Sequence, residues 1–282
     1  MTDNAGVTDW EFSIRYMRNR FLKMLLLAAA VLNISVLCCG QEILANGHKL
    51  FLKCNGSAPG PTVILVAGAG GTTDTWKRVQ PQIADFAKVC SYDRTGLGRS
   101  EKLSYTQSAD QIVDDLAILL QVARVNPPYI LVGHSIGGIY VRKYDQRYDS
   151  YISGMLLIDS SHKEQIWRFA MGDPQVLADE FPNWRNTTAM QAIGYLPPEH
   201  RLQWHFSKPL IVLEHGIPSE PVWHQMQQDL ARRSPQGKLI TAKQSRHYIQ
   251  EQQPELVIES VLEIRSQAVK NFSISKLRKA PE

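Results

Sequence analysis

The stretch "ILVGHSIGGIYVRKY", residues 130–144, decides the fold. It joins an apolar run typical of a buried strand to a pattern with helical spacing, and the joint is Gly133-His134-Ser135-Ile136-Gly137. An ordinary loop serine needs no glycine two residues away on each side. A serine displayed on a tight strand-to-helix turn does, because side chains at the flanking positions would clash there. The G-x-S-x-G pattern therefore marks Ser135 as a candidate nucleophile at a helix N-terminus, where free N–H groups favour negative charge.

Outward from this turn the chain alternates strand-like and helix-like segments. "PTVILVAG", "AKVCSYD", "PPYILVGH", "ISGMLLID", "KPLIVLEH" and "GKLITAK" read as strands. "SADQIVDDLAILLQVARV", with Ser108 as N-cap, "SIGGIYVRKYDQRY", "PVWHQMQQDLARRS" and "QPELVIESVLEIRSQ" read as helices. "EILANGHKLFLKCNG" alternates about an Asn-Gly, as a hairpin does. The expectation is an α/β fold: a mostly parallel central sheet with helices on both faces. Ligands bind beyond the carboxyl ends of such strands. Those ends carry "AGAGG", "YDRTG", "GHSIGG", "IDSSH", "EHG" and "SRHY", so most of the polar, glycine-rich chemistry converges on one edge.

Serine needs a base, and His247 in "SRHY" lies between the last strand and the last helix. His48, His134, His162, His200, His205, His215 and His224 compete, and of these only His162 has comparable placement. The histidine in turn needs an acid. Asp159 ends its strand, and Glu220 in "EHGIPSE" is the alternative. Asp93 reads as a turn residue whose carboxylate binds backbone N–H groups. The N–H groups of Ile136 and Ala69 are the candidate oxyanion donors. No cofactor is expected, since "AGAGG" lacks both a P-loop lysine and G-x-G-x-x-G spacing. No metal is expected either.

Taken together, these residues resemble the α/β-hydrolase superfamily over roughly residues 42–268. The likeness is carried by "VAGAGG" with Trp76, "YDRTGLGRS", "GHSIGG", "LLIDSSH" and "SRHYIQEQQPELV". The chain looks most like secreted bacterial serine hydrolases with a small lid. It departs from many members in having Ala67-Gly68 where they have His-Gly. It also lacks the Gly-x-x-Asp acid, because Gly216 is followed by Ile217, Pro218 and Ser219. One branch of the superfamily places its acid a strand earlier, where Asp159 lies, so the resemblance favours Asp159 over Glu220. Residues 160–207 follow the strand that feeds this edge and hold Trp167, Phe169, Phe181, Trp184, Tyr195, Trp204 and Phe206, which look like a helical lid with an apolar inner wall, some of them packing instead in the core.

The 282 residues carry a net charge of +4, with 44% hydrophobic and 21% charged residues. The basic clusters are short, which argues against nucleic acid as a partner. "RYMRNRFLK" followed by "MLLLAAAVLNISVLCCG" reads as a signal peptide within residues 1–40, cut before Gln41, with Met17 a natural start. An uncleaved membrane anchor over residues 24–40 is the alternative, and "VLCC" is a poor match to a lipoprotein site. The remaining cysteines, Cys54 and Cys90, suggest a disulfide in an exported, secreted or periplasmic, protein. The function expected is hydrolysis of a small, apolar or aromatic carboxylic ester through an acyl-enzyme. Acyl transfer, amide cleavage and C–C cleavage are alternatives on the same triad, and a catalytically silent binding protein is the reading from another class.

Overall fold

The computed structural model describes residues 40–175, 178 and 204–277, with side chains up to 271. The expected signal segment and most of the expected lid, including Phe181, Trp184 and Tyr195, lie outside the described residues.

Eight strands form one sheet in the order β1-β2-β4-β3-β5-β6-β7-β8. They are β1 Gln41–Ala45, β2 His48–Asn55, β3 Thr62–Val66, β4 Val89–Tyr92, β5 Tyr129–His134, β6 Ile152–Ile158, β7 Leu210–His215 and β8 Gly237–Ala242. The first two pair antiparallel across Asn46-Gly47, both at positive φ (51° and 85°), as a tight two-residue hairpin turn requires. β2 also runs antiparallel to β4, and every later pairing is parallel.

The apolar runs of the central strands are buried on both faces. Successive residues alternate between two cores. Ile64, Leu131, Leu157 and Val212 face one side, and Leu65, Val132, Leu156 and Leu213 face the other. On the first side pack α2 (Ala109–Val122), α3 (Gly137–Tyr148) and the end of α5 (Pro221–Ala231). On the second pack α1 (Gln80–Ala84), α6 (Ile249–Gln252) and α7 (Pro254–Leu277). Ser108 caps α2 in a reciprocal capping box with Gln111. α4 (Gln165–Gly172) lies within the described part of the expected lid. Trp204 and Phe206, from the far end of that insert, are buried in the main core instead of lining a cavity near Ser135.

Cys54 and Cys90 face each other in register on β2 and β4 and form a disulfide. Among the described residues no helix is long and apolar enough to cross a membrane.

Candidate active site

Ser135 follows β5 directly, at φ 54°. A non-glycine residue in that region carries backbone strain of about 1–3 kcal/mol, which its surroundings must offset. Here the Ser135 N–H donates to the Ile158 carbonyl at 3.0 Å, and its own carbonyl accepts from Gly138 and Ser161, each at 3.0 Å. The flanking glycines have steric reasons. A Cβ on Gly133 would stand 2.7 Å from the Gly137 carbonyl, and one on Gly137 would stand 2.2 Å from the Val66 carbonyl. Strand, turn and helix are thus packed backbone to backbone.

Asp159 follows β6 and is also at positive φ, 43°. Its carboxylate is fully buried and collects hydrogen bonds from three side chains. His247 Nδ1 lies 2.6 Å from Oδ2, Trp223 Nε1 donates to Oδ1 at 2.7 Å, and His215 Nδ1 lies 2.8 Å from Oδ2 and 2.9 Å from Oδ1. The His215 backbone N–H adds a further bond to Oδ1 at 3.1 Å. Burial pushes the Asp159 carboxyl up, but the bonds and charges of His215 and His247 outweigh it, holding the group below the usual carboxylate range. For His215, burial acts to lower the imidazole. The bond and charge of Asp159, with the charges of Glu220 and Glu214, leave it raised.

Ser135, Asp159, His215 and His247 line one cavity of about 480 Å³, whose apolar wall includes Phe169 and Trp223, stacked at 6.1 Å. Glu220 also lines this cavity, but the carboxylate on His247 Nδ1 is Asp159. The donors expected at Ala69 and Ile136 line a neighbouring hollow of about 750 Å³, with Leu97, Leu103 and Tyr140. Among the described residues neither amide has a hydrogen-bond acceptor. The two hollows are bordered by adjacent residues, Ser135 and Ile136.

Other histidines are occupied elsewhere. His162 is buried against Asp229 at 3.0 Å, and burial lowers its pKa. His48 is held by Asp115 at 2.9 Å and His224 by Glu214 at 2.8 Å. His205 has no place in the cavity that Ser135 lines, and His200 lies outside the described residues. Asp93 accepts from the amide of Arg99, at 2.9 Å, within the loop after β4, and from the amide of Thr73, at 2.6 Å, which ties that loop to the one after β3.

Two residues escaped the sequence reading. Arg94, inside "YDRTG", is buried and reaches back to bind the carbonyls of Ala67 and Gly68, each at 2.5 Å. It thereby fixes the segment leading into Ala69. The sequence presents His215 only as a rival base, because its bond to Asp159 spans 56 residues with no local signal. Among the described residues no group of three or more His, Cys, Asp or Glu is placed to hold a metal ion.

Comparison with known proteins agrees with this architecture. A model of the alpha/beta hydrolase family matches residues 63–260, and the chain belongs to that family. It is 30% identical over 213 residues to the uncharacterized protein YqjL of Bacillus subtilis, covering 70% of this chain and 81% of YqjL. Two further curated relatives are matched over only 21% and 40% of their own lengths. Among solved structures, the enol-lactonase from Burkholderia xenovorans superposes with a TM-score of 0.62 at 16% identity, covering 79% of this chain and 99% of that one. A thermophilic esterase from Thermogutta terrifontis gives 0.59 at 22% identity, covering 82% and 99%. The fold is the α/β-hydrolase fold, and family membership supports a hydrolase.

Proposed function

We propose that this chain is a serine hydrolase that cleaves a carboxylic ester of a small apolar or aromatic molecule, with Ser135 as nucleophile, His247 as base and Asp159 as the acid that orients it. The observation that carries this reading is the 2.6 Å bond between His247 Nδ1 and Asp159, in the cavity that the strained Ser135 lines. With Nδ1–H committed to Asp159, the His247 Nε2 lone pair is left to take the Ser135 proton. Ser135 Oγ then bonds to the ester carbonyl carbon, and the oxyanion is met by the amides of Ala69 and Ile136. As the intermediate collapses, His247 returns the proton to the departing alcohol. Water, deprotonated by the same histidine, then releases the acid and restores Ser135. The cavity volumes fall in the range of small-molecule sites, and the Phe169–Trp223 wall suits an apolar or aromatic group.

Export fits the Cys54–Cys90 disulfide, because such bonds persist in oxidising compartments. A mature N-terminus at Gln41, read by mass spectrometry of protein collected outside the cytoplasm, is the expected result. An intact leader would point to attachment through residues 24–40.

The test of the chemistry is labelling with a fluorophosphonate, followed by a panel of p-nitrophenyl esters of graded chain length. The parent should label at Ser135 and turn over at least one ester. Ser135→Ala should do neither while keeping its fold. Near-parental turnover by the Ala variant would remove the nucleophile assignment.

A further inference from the structure

Resting on that hydrolase reading, we infer that His215 is a charged positioning residue: a second imidazole on the Asp159 carboxylate that competes with His247 for its negative charge and so keeps the base free to accept a proton in more acidic solution.

The geometry is that of one carboxylate shared by two rings. Asp159 Oδ2 takes both His247 Nδ1, at 2.6 Å, and His215 Nδ1, at 2.8 Å. Trp223 Nε1 and the His215 amide complete the other oxygen, so Asp159 cannot turn toward either ring without losing bonds. His215 is itself clamped, because its ring stacks on Trp223 at 6.0 Å and its side chain is only 10% exposed. The charged groups around it are Asp159 after β6, Glu214 on its own strand and Glu220 at the start of α5, with Arg246 and His247 on the loop after β8. Burial acts to lower the His215 pKa, but the bond and charge of Asp159, with the charges of Glu220 and of Glu214 (itself bonded to His224), hold it raised from its ordinary value.

The consequence for catalysis follows from charge alone. When His247 takes the serine proton, Asp159 stabilises the imidazolium. A cationic His215 on the same oxygen has already offset part of that charge, so His247 takes up a solvent proton less readily. Activity then persists to lower pH than an undivided Asp–His pair would allow.

His215→Asn separates charge from positioning, since its amide can still donate to Asp159 but carries no charge. The rate of fluorophosphonate labelling is followed against pH for the parent, His215→Asn and His215→Phe, each first checked for a parental circular dichroism spectrum. The acid limb of the Asn profile should move to higher pH by about one unit, in line with removal of a like charge next to the base. An acid limb that stays in place in the Asn variant overturns the inference. A uniform drop across all pH values would likewise reduce His215 to a structural role. A second readout does not depend on activity. In Ser135→Ala protein labelled with ¹⁵N-histidine, the His215 signal, assigned by its loss in Ser135→Ala/His215→Asn, should titrate above the reference value of about 6.5. A midpoint at or below that value overturns the inference. If the parent fails to label, the hydrolase reading falls, and this titration still decides whether His215 is the charged partner of Asp159.

Discussion

His134 stands directly behind His247: its Nε2 donates to the His247 carbonyl at 3.0 Å, and the two rings lie 4.7 Å apart. The residue before Ser135 thus holds the backbone of His247, linking β5 to the loop after β8 across 113 positions of sequence. The bond fixes the His134 proton on Nε2 and leaves Nδ1 buried without a partner.

That arrangement predicts a pH signature in stability. His134 is pushed down to about 3, first by burial and then by the charge of His247. Between about 6.5 and about 3 the unfolded chain binds a proton that the folded chain refuses. The His134 contribution is therefore fully present above about pH 6.5 and is lost as pH falls, at up to about 1.4 kcal/mol per pH unit. His134→Gln keeps a donor for the His247 carbonyl and removes the titration. From about pH 7.5 to 5.5 the urea midpoint of the parent should fall more steeply than that of the variant; parallel slopes would contradict this account.

The proposed acid is tested by a pair of variants. Asp159→Asn should retain the fold, because asparagine tolerates positive φ and keeps part of the hydrogen bonding. Its kcat, read on the alkaline plateau, should fall on the order of 10⁴-fold, since His247 loses the partner that fixes its tautomer. Glu220→Gln should change the plateau rate by less than about tenfold, because His247 Nδ1 is already bonded to Asp159. A large loss in Glu220→Gln with a small one in Asp159→Asn would reverse the roles.

The disulfide has a separate signature. It closes a loop of sequence separation 36 between two sheet strands, and no residue of β2 or β4 lines the cavity that holds Ser135. Replacing both cysteines with alanine should lower unfolding free energy by about 2–4 kcal/mol in denaturant titration. Turnover at 25 °C should stay near the parental rate. A double variant of unchanged stability would mean the bridge adds no constraint that the strand pairing does not already supply.

What the sequence made legible follows from local physics. The apolar runs ending in glycine marked β3 and β5 because strands buried on both faces carry no polar alternation. The elbow was legible because a Cβ at Gly133 or Gly137 would collide with backbone, which leaves glycine two residues to each side of Ser135. Asp159 was favoured by position and by the missing aspartate after Gly216, not by any property of its own segment. His215 and Arg94 stayed hidden for the same reason. Each acts through a contact between ends of different strands, 56 and 26–27 residues away, and each sits in a segment with a plausible local reading. Arg94 was masked by a turn motif, and His215 by being one of eight histidines.

Arg94 gives the sharpest test of how the proposed oxyanion segment is held. Its guanidinium bridges two successive carbonyls, Ala67 and Gly68, immediately before Ala69, and lies 5.4 Å from the centre of the Tyr140 ring. Turning those carbonyls toward Arg94 fixes the Ala67–Gly68 peptide plane and the Gly68–Ala69 plane that carries the Ala69 N–H. A lysine has one point charge and cannot span both oxygens with a planar fork. In Arg94→Lys the proposed Ala69 donor loses its preset direction, while the walls of the cavity beside Ser135 are untouched. Removal of one oxyanion donor costs about 10²–10³ in kcat, so misdirecting one should cost about 10–10². The KM for a short p-nitrophenyl ester should change by less than about threefold, because the oxyanion contact strengthens only as the carbonyl becomes tetrahedral. Raised KM with parental kcat would place Arg94 in substrate binding and detach it from the Ala69 amide. A fall in both thermal stability and kcat, restored together at lower temperature, would make its role that of a buried structural tie alone.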